Sequence, residues 1–368
     1  MEEVVIVIAD LYLTSAAEAA SVRSVDLPGL AQIARYGSGH LLENGWRAWL
    51  ASWAGHASLA HEAPATIAAA ASHTAASDVD GRMVWLATPV HLVAGLSSVH
   101  LDERGLLQVE PGVRQRLAAD FNAVFAESGF HLEALSSTGF LMTSPSGTVA
   151  DTVDPARVLG ASINEALPSA SAAPALRRVG TEIEMWLYDH PVNQDRAKHG
   201  KLPISALWLW GGGAAPAGAP FDAPVFGVES ADTVPASAVR GAVALASTAS
   251  PPPGVAFGGD PYLHGLWRST GGSARETPNG FEEALATAGS RAVFVVELSR
   301  SFDEHRGWSI RDALADADRR WIVRALEALR RGDVARVTVV ANDHRLSLGP
   351  RDRLKLWRMP RPALTALQ

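Results

Sequence analysis

Three aspartates and two histidines follow apolar runs that are predicted to be β-strands. They are Asp10, Asp303, His305, Asp343 and His344. Carboxylates and imidazoles gathered at the carboxyl edge of a parallel sheet are the ligand types that bind Mn, Zn or Mg. The segment 342–344 also has the composition of a hairpin turn between two strands. These residues therefore indicate either a metal site at a sheet edge or, for Asp343, a structural turn.

Two other groups have the chemistry of an anion site. The glycines at 211–213 follow an apolar run over 204–210, and consecutive glycine amides can cradle a phosphate. A flexible turn after the strand is the alternative for these glycines. The segment 190–193, His-Pro-Val-Asn, forms a polar cluster with Arg196 after a predicted helix. This cluster binds an anion, or it caps the helix and begins a polar loop over 189–201.

The elements that would position these residues alternate between strands and helices. A short β-branched run over 4–9 predicts a strand buried on both faces, as in a parallel sheet. The segment 292–341 predicts a strand, an amphipathic helix and a strand, which together form a βαβ unit. A further strand is predicted over 84–92, where Pro89 ends the strand or places it at a sheet edge. This order of strands and helices predicts one α/β domain that is interrupted by an inserted domain.

Composition excludes several classes of protein. Of the 368 residues 47% are hydrophobic and 19% are charged, so the chain can bury a sizeable core. It contains no cysteine, which excludes disulfides, thiolate metal sites and cysteine nucleophiles. With a net charge of −7, the chain lacks the excess of Lys and Arg that is typical of a nucleic-acid binder. No apolar run approaches the roughly 18 residues of a membrane span, and the amino terminus lacks a secretory signal. We expect a cytoplasmic protein without nucleic-acid or membrane partners.

Taken in order along the chain, these segments resemble the archaeal-type cofactor-independent phosphoglycerate mutases of the alkaline-phosphatase-like superfamily. The family carries His-Pro-Val-Asn-x-x-Arg, then a strand and Gly-x-Gly, and the matching residues here are His190, Asn193, Arg196, Gly211 and Gly213. The segment 151–155 resembles the family's Asp-Thr-Asp-Pro with one inserted residue. A pattern of Glu182, Met185 and 208–211 is also similar to bacterial RpfE-type regulatory proteins.

The resemblance implies an α/β fold: an alkaline-phosphatase-like parallel-sheet core over 1–75 and 205–368, with a smaller α+β domain inserted at 76–204. It implies a site with two divalent metals, of which Mn or Zn is expected here, and a serine that the substrate phosphorylates. The metal ligands would be Asp10, Asp303, His305, Asp343 and His344. The ligand-binding residues would be Asp151, Asp154, His190, Asn193, Arg196, Gly211 and Gly213.

The chain departs from the family at the positions that perform its chemistry. The family's Gly-Ser-Asp nucleophile motif is absent, and the corresponding stretch 46–65 contains only Ser52 and Ser58 as serines. Gly307 and Arg353 stand where the family has metal-binding histidines, unless a shifted loop brings in His305. One metal half-site is therefore expected to survive, while the other half-site and the nucleophile are degraded.

Three hypotheses follow from these departures. The leading one is a phosphoglycerate-mutase-like protein that is non-catalytic or regulatory and binds a phosphorylated small molecule, with a protein partner of unknown kind. The alternative is an active metal-dependent phosphomutase or phosphohydrolase, with Ser52 or Ser58 as nucleophile and His305 as a metal ligand. The third is a scaffold in which the acidic residues only cap helices and form turns.

Overall fold

The computed structural model describes residues 1–12, 25–72, 82–145, 148, 150–167, 173–216, 254–300 and 309–352. In chain order the strands of these ranges are β1 (Glu3–Ile8), β2 (Ser38–Leu41), β3 (Met83–Ala94), β4 (Val99–Leu106), β5 (His131–Ala134), β6 (Phe140–Ser144), β7 (Ala206–Ala214), β8 (Val255–Phe257), β9 (Ala274–Arg275), β10 (Arg291–Val296), β11 (Val337–Ala341) and β12 (His344–Leu348).

The helices of the same ranges are α1 (Pro28–Tyr36), α2 (Gly45–Trp53), α3 (Pro64–Ala69), α4 (Pro111–Val124), α5 (Pro174–Tyr188), α6 (Pro191–Lys198), α7 (Pro261–Ser269), α8 (Phe281–Thr287), α9 (Ile310–Ala317) and α10 (Arg324–Arg331). Short 3₁₀ turns lie at Ala57–His61 and Pro155–Val158. A π-helical turn, Asp318–Val323, joins α9 to α10, so the predicted amphipathic helix of the βαβ unit is confirmed.

The first sheet has β1 at its centre. Its strand order is β2-β12-β11-β1-β10-β8-β9, and β1 runs parallel to both β10 and β11. Val4, Ile6 and Ile8 pack into one hydrophobic cluster, while Val5 and Val7 pack into another. Because both faces are covered, the continuous apolar run is required rather than an alternating pattern. This confirms the predicted α/β class with a parallel-strand sheet.

The second sheet is antiparallel and consists of β3 to β7. Its order is β4-β3-β6-β5, and β7 also pairs with β3. The prediction that Pro89 ends β3 or marks an edge is wrong, because the strand continues to Ala94 with Pro89 opposite Leu207. Pairing with β6 stops at Ala87 and pairing with β4 starts at Val90. The missing N–H of the proline therefore falls where one neighbouring strand replaces another.

The glycines at 211–213 are part of β7, so the predicted turn after the strand is wrong. Close packing explains their small size. A Cβ at Gly212 would lie 2.2 Å from the ring of Trp85, and one at Gly213 would lie 2.5 Å from the Cβ of Ala63. Any larger residue would push β7 away from its neighbours.

The polar loop predicted over 189–201 is also wrong in part, because α6 occupies most of it. Pro191 stands at the first helical position, where its fixed φ suits a helix and its missing N–H costs nothing. The His-Pro pair therefore begins a helix.

The hairpin interpretation of 342–344 is confirmed. β11 and β12 pair antiparallel, with Ala341 opposite His344. Asn342 and Asp343 have φ values of +49° and +59°, the left-handed conformation required by the two central residues of a type I′ turn.

The division of the chain into domains stays a prediction. The second sheet spans 83–214 and so includes β7, which lies beyond the predicted boundary at 204. Among the described residues no helix is long and apolar enough to cross a membrane.

Candidate functional site

A small, partly open cleft with a cavity volume of about 70 Å³ lies between the two sheets. One wall is formed by residues that follow β1, β8 and β10 of the first sheet, and the other by β3, β6 and β7 of the second. Ligands of open α/β folds bind at this carboxyl edge of the strands. The charged residues that line the cleft are Asp10, Arg47, Asp154, Asp260 and Glu297.

Asp10 lies where the strand pattern predicted it, directly beyond β1. Its two carboxylate oxygens accept the backbone N–H groups of Leu298 at 2.7 Å and Ser299 at 2.8 Å. Burial raises the pKa of Asp10, and these backbone donors oppose the rise. The carboxylate therefore anchors the segment that follows β10.

Arg47, on the first turn of α2, is the central charge of the cleft. Its guanidinium donates to Asp154 at 2.6 Å and to Asp260 at 3.1 Å. The same group lies 4.4 Å from the ring centre of Trp46 and 4.6 Å from that of Trp210. Burial alone would lower the pKa of Arg47, but the two carboxylates reverse this and raise it. Arg47 thus stays charged and joins the cores of the two sheets.

Asp343 is held by a second guanidinium. Arg157 donates to its Oδ2 at 2.6 Å, and Arg157 also lies 4.2 Å from the ring centre of Tyr12. The other oxygen, Oδ1, is buried without a hydrogen-bond partner among the described residues. The Nδ1 atom of His344 contacts the backbone oxygen of Asn342 at 3.0 Å.

The described donors, Asp10, Asp343 and His344, do not form a divalent metal centre. Both oxygens of Asp10 accept backbone amides, and Asp343 is neutralised by a guanidinium. No group of three or more acidic or histidine side chains in the described ranges could hold a metal ion. Asp303 and His305 lie outside those ranges, so their predicted roles as ligands stay predictions.

Glu297 directly follows β10 and contributes a carboxylate with a raised pKa to the cleft. Burial raises its pKa to about 7, and Arg300, which donates to it at 2.8 Å, opposes the rise. Asp260 and Asp10 add repulsion that raises the pKa further. Glu297 therefore gains or loses its charge near neutral pH.

We expect Glu297→Gln to reduce the loss of stability as pH rises. The ordinary pKa of 4.5 applies in the unfolded state, so between 4.5 and about 7 the folded state holds a proton that the unfolded state has lost. Raising the pH through this window lowers the free energy of unfolding of the wild type by about 3 kcal/mol. The Gln side chain of the variant does not titrate, so its stability does not fall for this reason. Urea unfolding of both proteins at about pH 4 and about pH 8 measures the difference. Glu327→Gln, on exposed α10, serves as control, and a wild-type difference independent of pH would contradict the expectation.

His190 lies in the second sheet's helical layer and not in the cleft. Its Nδ1 accepts the backbone N–H of Val192 at 3.2 Å, which caps α6. Its Nε2 lies 3.4 Å from Asp120, and its ring packs edge-on against Trp186. Burial lowers the pKa of His190 despite the nearby carboxylate. Nδ1 therefore caps α6, and Nε2 faces the carboxylate of Asp120 on α4.

Asn193 and Arg196 are bonded to the backbone around α6. The amide of Asn193 donates to the oxygens of Leu187 and Ile204 and accepts the N–H of Ile204, each at 2.8 Å. Arg196 donates through Nε to the oxygen of Leu202. These contacts fix the path from α5 into β7.

The remaining predicted site residues, apart from Asp154, also lie away from the cleft lining. Ser52 is exposed and donates back to the oxygen of Ala48 within α2, and Ser58 is exposed on a 3₁₀ turn. Asp151 is exposed, and the amide of Gly211 donates to the hydroxyl of Thr152. Gly213 packs against α3. The structure brings together Asp10 and Asp154 but neither candidate nucleophile.

Comparison with known proteins gives one sequence relative over part of the chain. A segment of 89 residues, 24% of this chain, is 36% identical to a probable 2,3-bisphosphoglycerate-independent phosphoglycerate mutase of Geobacter sulfurreducens. The match spans only 22% of that relative's length. It shows local homology to a phosphoglycerate mutase. No family model matches the chain.

Two solved structures resemble the chain along most of its length. A cofactor-independent phosphoglycerate mutase from Thermoplasma acidophilum covers 94% of this chain and is itself covered to 89%, at 16% identity and a TM-score of 0.36. The PH0037 protein from Pyrococcus horikoshii covers 99% and is covered to 92%, at 13% identity and a TM-score of 0.45.

Three charged cleft residues were missed by the sequence reasoning: Arg47, Asp260 and Glu297. Glu297 directly follows β10 and Asp260 closely follows β8, so the sheet-edge argument used for Asp10 would have found both. β8 has only three residues and was not recognised as a strand. Arg47 carries no sequence signal, because its two carboxylate partners are distant in the chain.

Proposed function

We propose that this chain is a phosphoglycerate-mutase-like protein of the alkaline-phosphatase-like superfamily whose cleft binds a small ligand without metal-dependent phosphoryl transfer. The local homology to a phosphoglycerate mutase supports the family assignment. The observation that carries the loss of catalysis is the pairing of the carboxylates with arginines. Arg157 pairs with Asp343, and Arg47 bridges Asp154 and Asp260.

The chemistry of phosphoryl transfer explains why this pairing matters. Paired metals stabilise the charge on the transferred group, and a positioned nucleophile accepts it. A guanidinium that is already paired with a carboxylate stabilises the negative charge of a phosphoryl group less, because the ion pair has little net charge. Ser52 and Ser58 lie outside the cleft lining, so neither supports a phosphoserine intermediate.

A regulatory role in the cytoplasm, similar to that of RpfE-type proteins, is the form of this proposal that we favour. The ligand would be a phosphorylated small molecule bound between the two sheets. A protein partner would recognise the ligand-bound form of the chain. The lining of the cleft combines apolar side chains with a few polar and charged groups, as sites for small molecules do.

Turnover assays test the proposal. The purified chain is incubated with 3-phosphoglycerate, and separately with a chromogenic phosphate monoester, in the presence of Mn²⁺, Zn²⁺ or Mg²⁺. We expect no isomerisation or hydrolysis above that of a chelated sample. Metal-dependent turnover that is lost in both Asp10→Ala and Asp343→Asn would overturn the proposal and support an active phosphomutase or phosphohydrolase.

A further inference from the structure

We infer that a surface beside helix α2 binds an acidic segment of a protein partner. This surface, here called the tryptophan face, consists of Trp49 and Trp53 of α2, Arg291 at the start of β10, Arg345 of β12 and His40 of β2. None of these residues lines the cleft. The inference rests on the protein partner of the proposed function, and it gives that partner a surface and a chemical class.

The first sheet leaves part of one face open beside α2. Val5, Val7 and Val340 lie on this face and pack into the cluster that α2 covers. Residues directly opposite each other in antiparallel strands point to the same face of a sheet. The face therefore continues through β12 and β2, toward the edge of the sheet, with polar and charged residues: Ser347, Arg345, Ser38 and His40. The two residues of β2 are exposed, so this part of the face is open to a partner.

Trp49 and Trp53 border this open part of the sheet. Both are partly exposed, both pack against the cluster under α2, and their ring centres lie 6.3 Å apart. A guanidinium lies at each end of the pair: that of Arg345 is 5.9 Å from the ring centre of Trp49, and that of Arg291 is 3.8 Å from that of Trp53. Trp and Arg are enriched among the residues that dominate binding at protein interfaces. The tryptophan face thus has the composition of an interface.

The charges of the tryptophan face favour an acidic partner. The carboxylate of Glu3 accepts Nε1 of Trp53 at 2.9 Å and the hydroxyl of Thr338 at 2.8 Å, and it lies 3.5 Å from Arg291. Arg345 forms no ion pair with a carboxylate of the described residues, and its Nε is buried without a hydrogen-bond partner among them. A partner's carboxylate would supply the counter-charge of this guanidinium.

A protein segment fits this surface better than a nucleic acid does. The indole rings offer contact area to apolar side chains, while the guanidinium offers a fork of donors to a carboxylate. A nucleic acid could also stack on the rings, but its dense phosphates are repelled by a chain with a net charge of −7. The matching occupant is therefore a segment in which Asp or Glu stands next to apolar residues.

Fluorescence anisotropy of a labelled peptide of alternating Glu and Leu residues tests the inference on the full chain. A peptide with Gln in place of Glu is the matched probe, and an oligothymidylate of similar length tests for nucleic-acid binding. We expect saturable binding of the Glu peptide that weakens as salt is added, with an apparent Kd at least about tenfold lower than that of the Gln peptide. Arg345→Gln and Trp49→Ala should each weaken this binding at least about tenfold.

His40→Glu separates binding from folding. His40 is exposed on the edge strand β2 and lies opposite Arg345, so a carboxylate at this position leaves the core intact and competes with the peptide for the guanidinium. This variant should lose peptide binding and unfold at the wild-type Tm. Arg320→Gln, at an exposed position in the helical layer over the opposite face of the sheet, should bind the peptide as wild type does.

Three results would overturn the inference. The first is a Glu peptide that does not bind, or binds no more tightly than the Gln peptide. The second is wild-type affinity in His40→Glu or Arg345→Gln. The third is tighter binding of the oligothymidylate, which would assign the surface to a nucleic acid. Metal-dependent turnover in the same preparations would instead overturn the proposed function of the cleft, so the two failures are distinct.

Discussion

Arg47→Ala is expected to lower the free energy of unfolding by about 4 kcal/mol. The substitution leaves Asp154 and Asp260 facing each other across the cleft, with side-chain exposures of 10% and 7% and no guanidinium between them. Removing one partner of a buried ion pair is costly because the remaining charges stay desolvated. Urea unfolding at neutral pH measures the loss.

Two comparisons make this result specific to Arg47. Arg320→Ala removes an exposed arginine that pairs with Asp316, and it should change stability by less than about 1 kcal/mol. Combining Arg47→Ala with Asp154→Asn and Asp260→Asn removes the stranded charges and should recover part of the loss. A change below about 1 kcal/mol for Arg47→Ala alone would show that the guanidinium does not hold the two sheets together.

Asn193→Ala is expected to cost about 3 kcal/mol. Its amide makes three buried hydrogen bonds, and without it the oxygens of Leu187 and Ile204 and the N–H of Ile204 lose a partner. Each unsatisfied buried polar group carries its own desolvation penalty. Denaturant unfolding measures the loss, with the exposed neighbour Gln194→Ala as the matched control.

The same variant decides between two interpretations of the His-Pro-Val-Asn segment. A structural role predicts a large loss of stability, whereas a ligand-binding role predicts weaker binding at nearly unchanged stability. If Asn193→Ala unfolds at the wild-type denaturant concentration, the three hydrogen bonds of the amide do not stabilise the fold and the structural interpretation is wrong.

Local signals predicted the elements that local chemistry determines. The strand β1 is an unbroken β-branched run, and a strand buried on both faces needs such a run. The hairpin at 342–344 follows from Asn and Asp, which tolerate the left-handed backbone. The helix over 310–329 follows from its apolar period of 3.6 residues.

The errors arose where a distant residue determines the outcome. The glycines of β7 are small because Trp85 and α3 pack against them, and nothing near 211–213 in the sequence indicates this. Pro89 sits inside a strand because two different neighbours pair on either side of it. Whether a proline ends a strand therefore depends on which strands pair on either side of it.

The candidate site was predictable only in part, for the same reason. Asp10 was found because it follows a strand in the sequence. Its carboxylate is bonded to Leu298 and Ser299, which lie almost three hundred residues away, and nothing near Asp10 in the sequence indicates this contact. The ion pairs of Arg47 and Arg157 likewise join segments distant in the chain.

Metal content tests the central claim, that Asp10 is bonded to backbone amides and Asp343 to Arg157 in place of metal ions. Wild type and Asp343→Asn are purified without chelators, incubated with Mn²⁺ and Zn²⁺, desalted and measured by elemental analysis. We predict that neither protein retains stoichiometric metal and that the two are indistinguishable. Near-stoichiometric Mn or Zn in the wild type that disappears in Asp343→Asn would contradict this account.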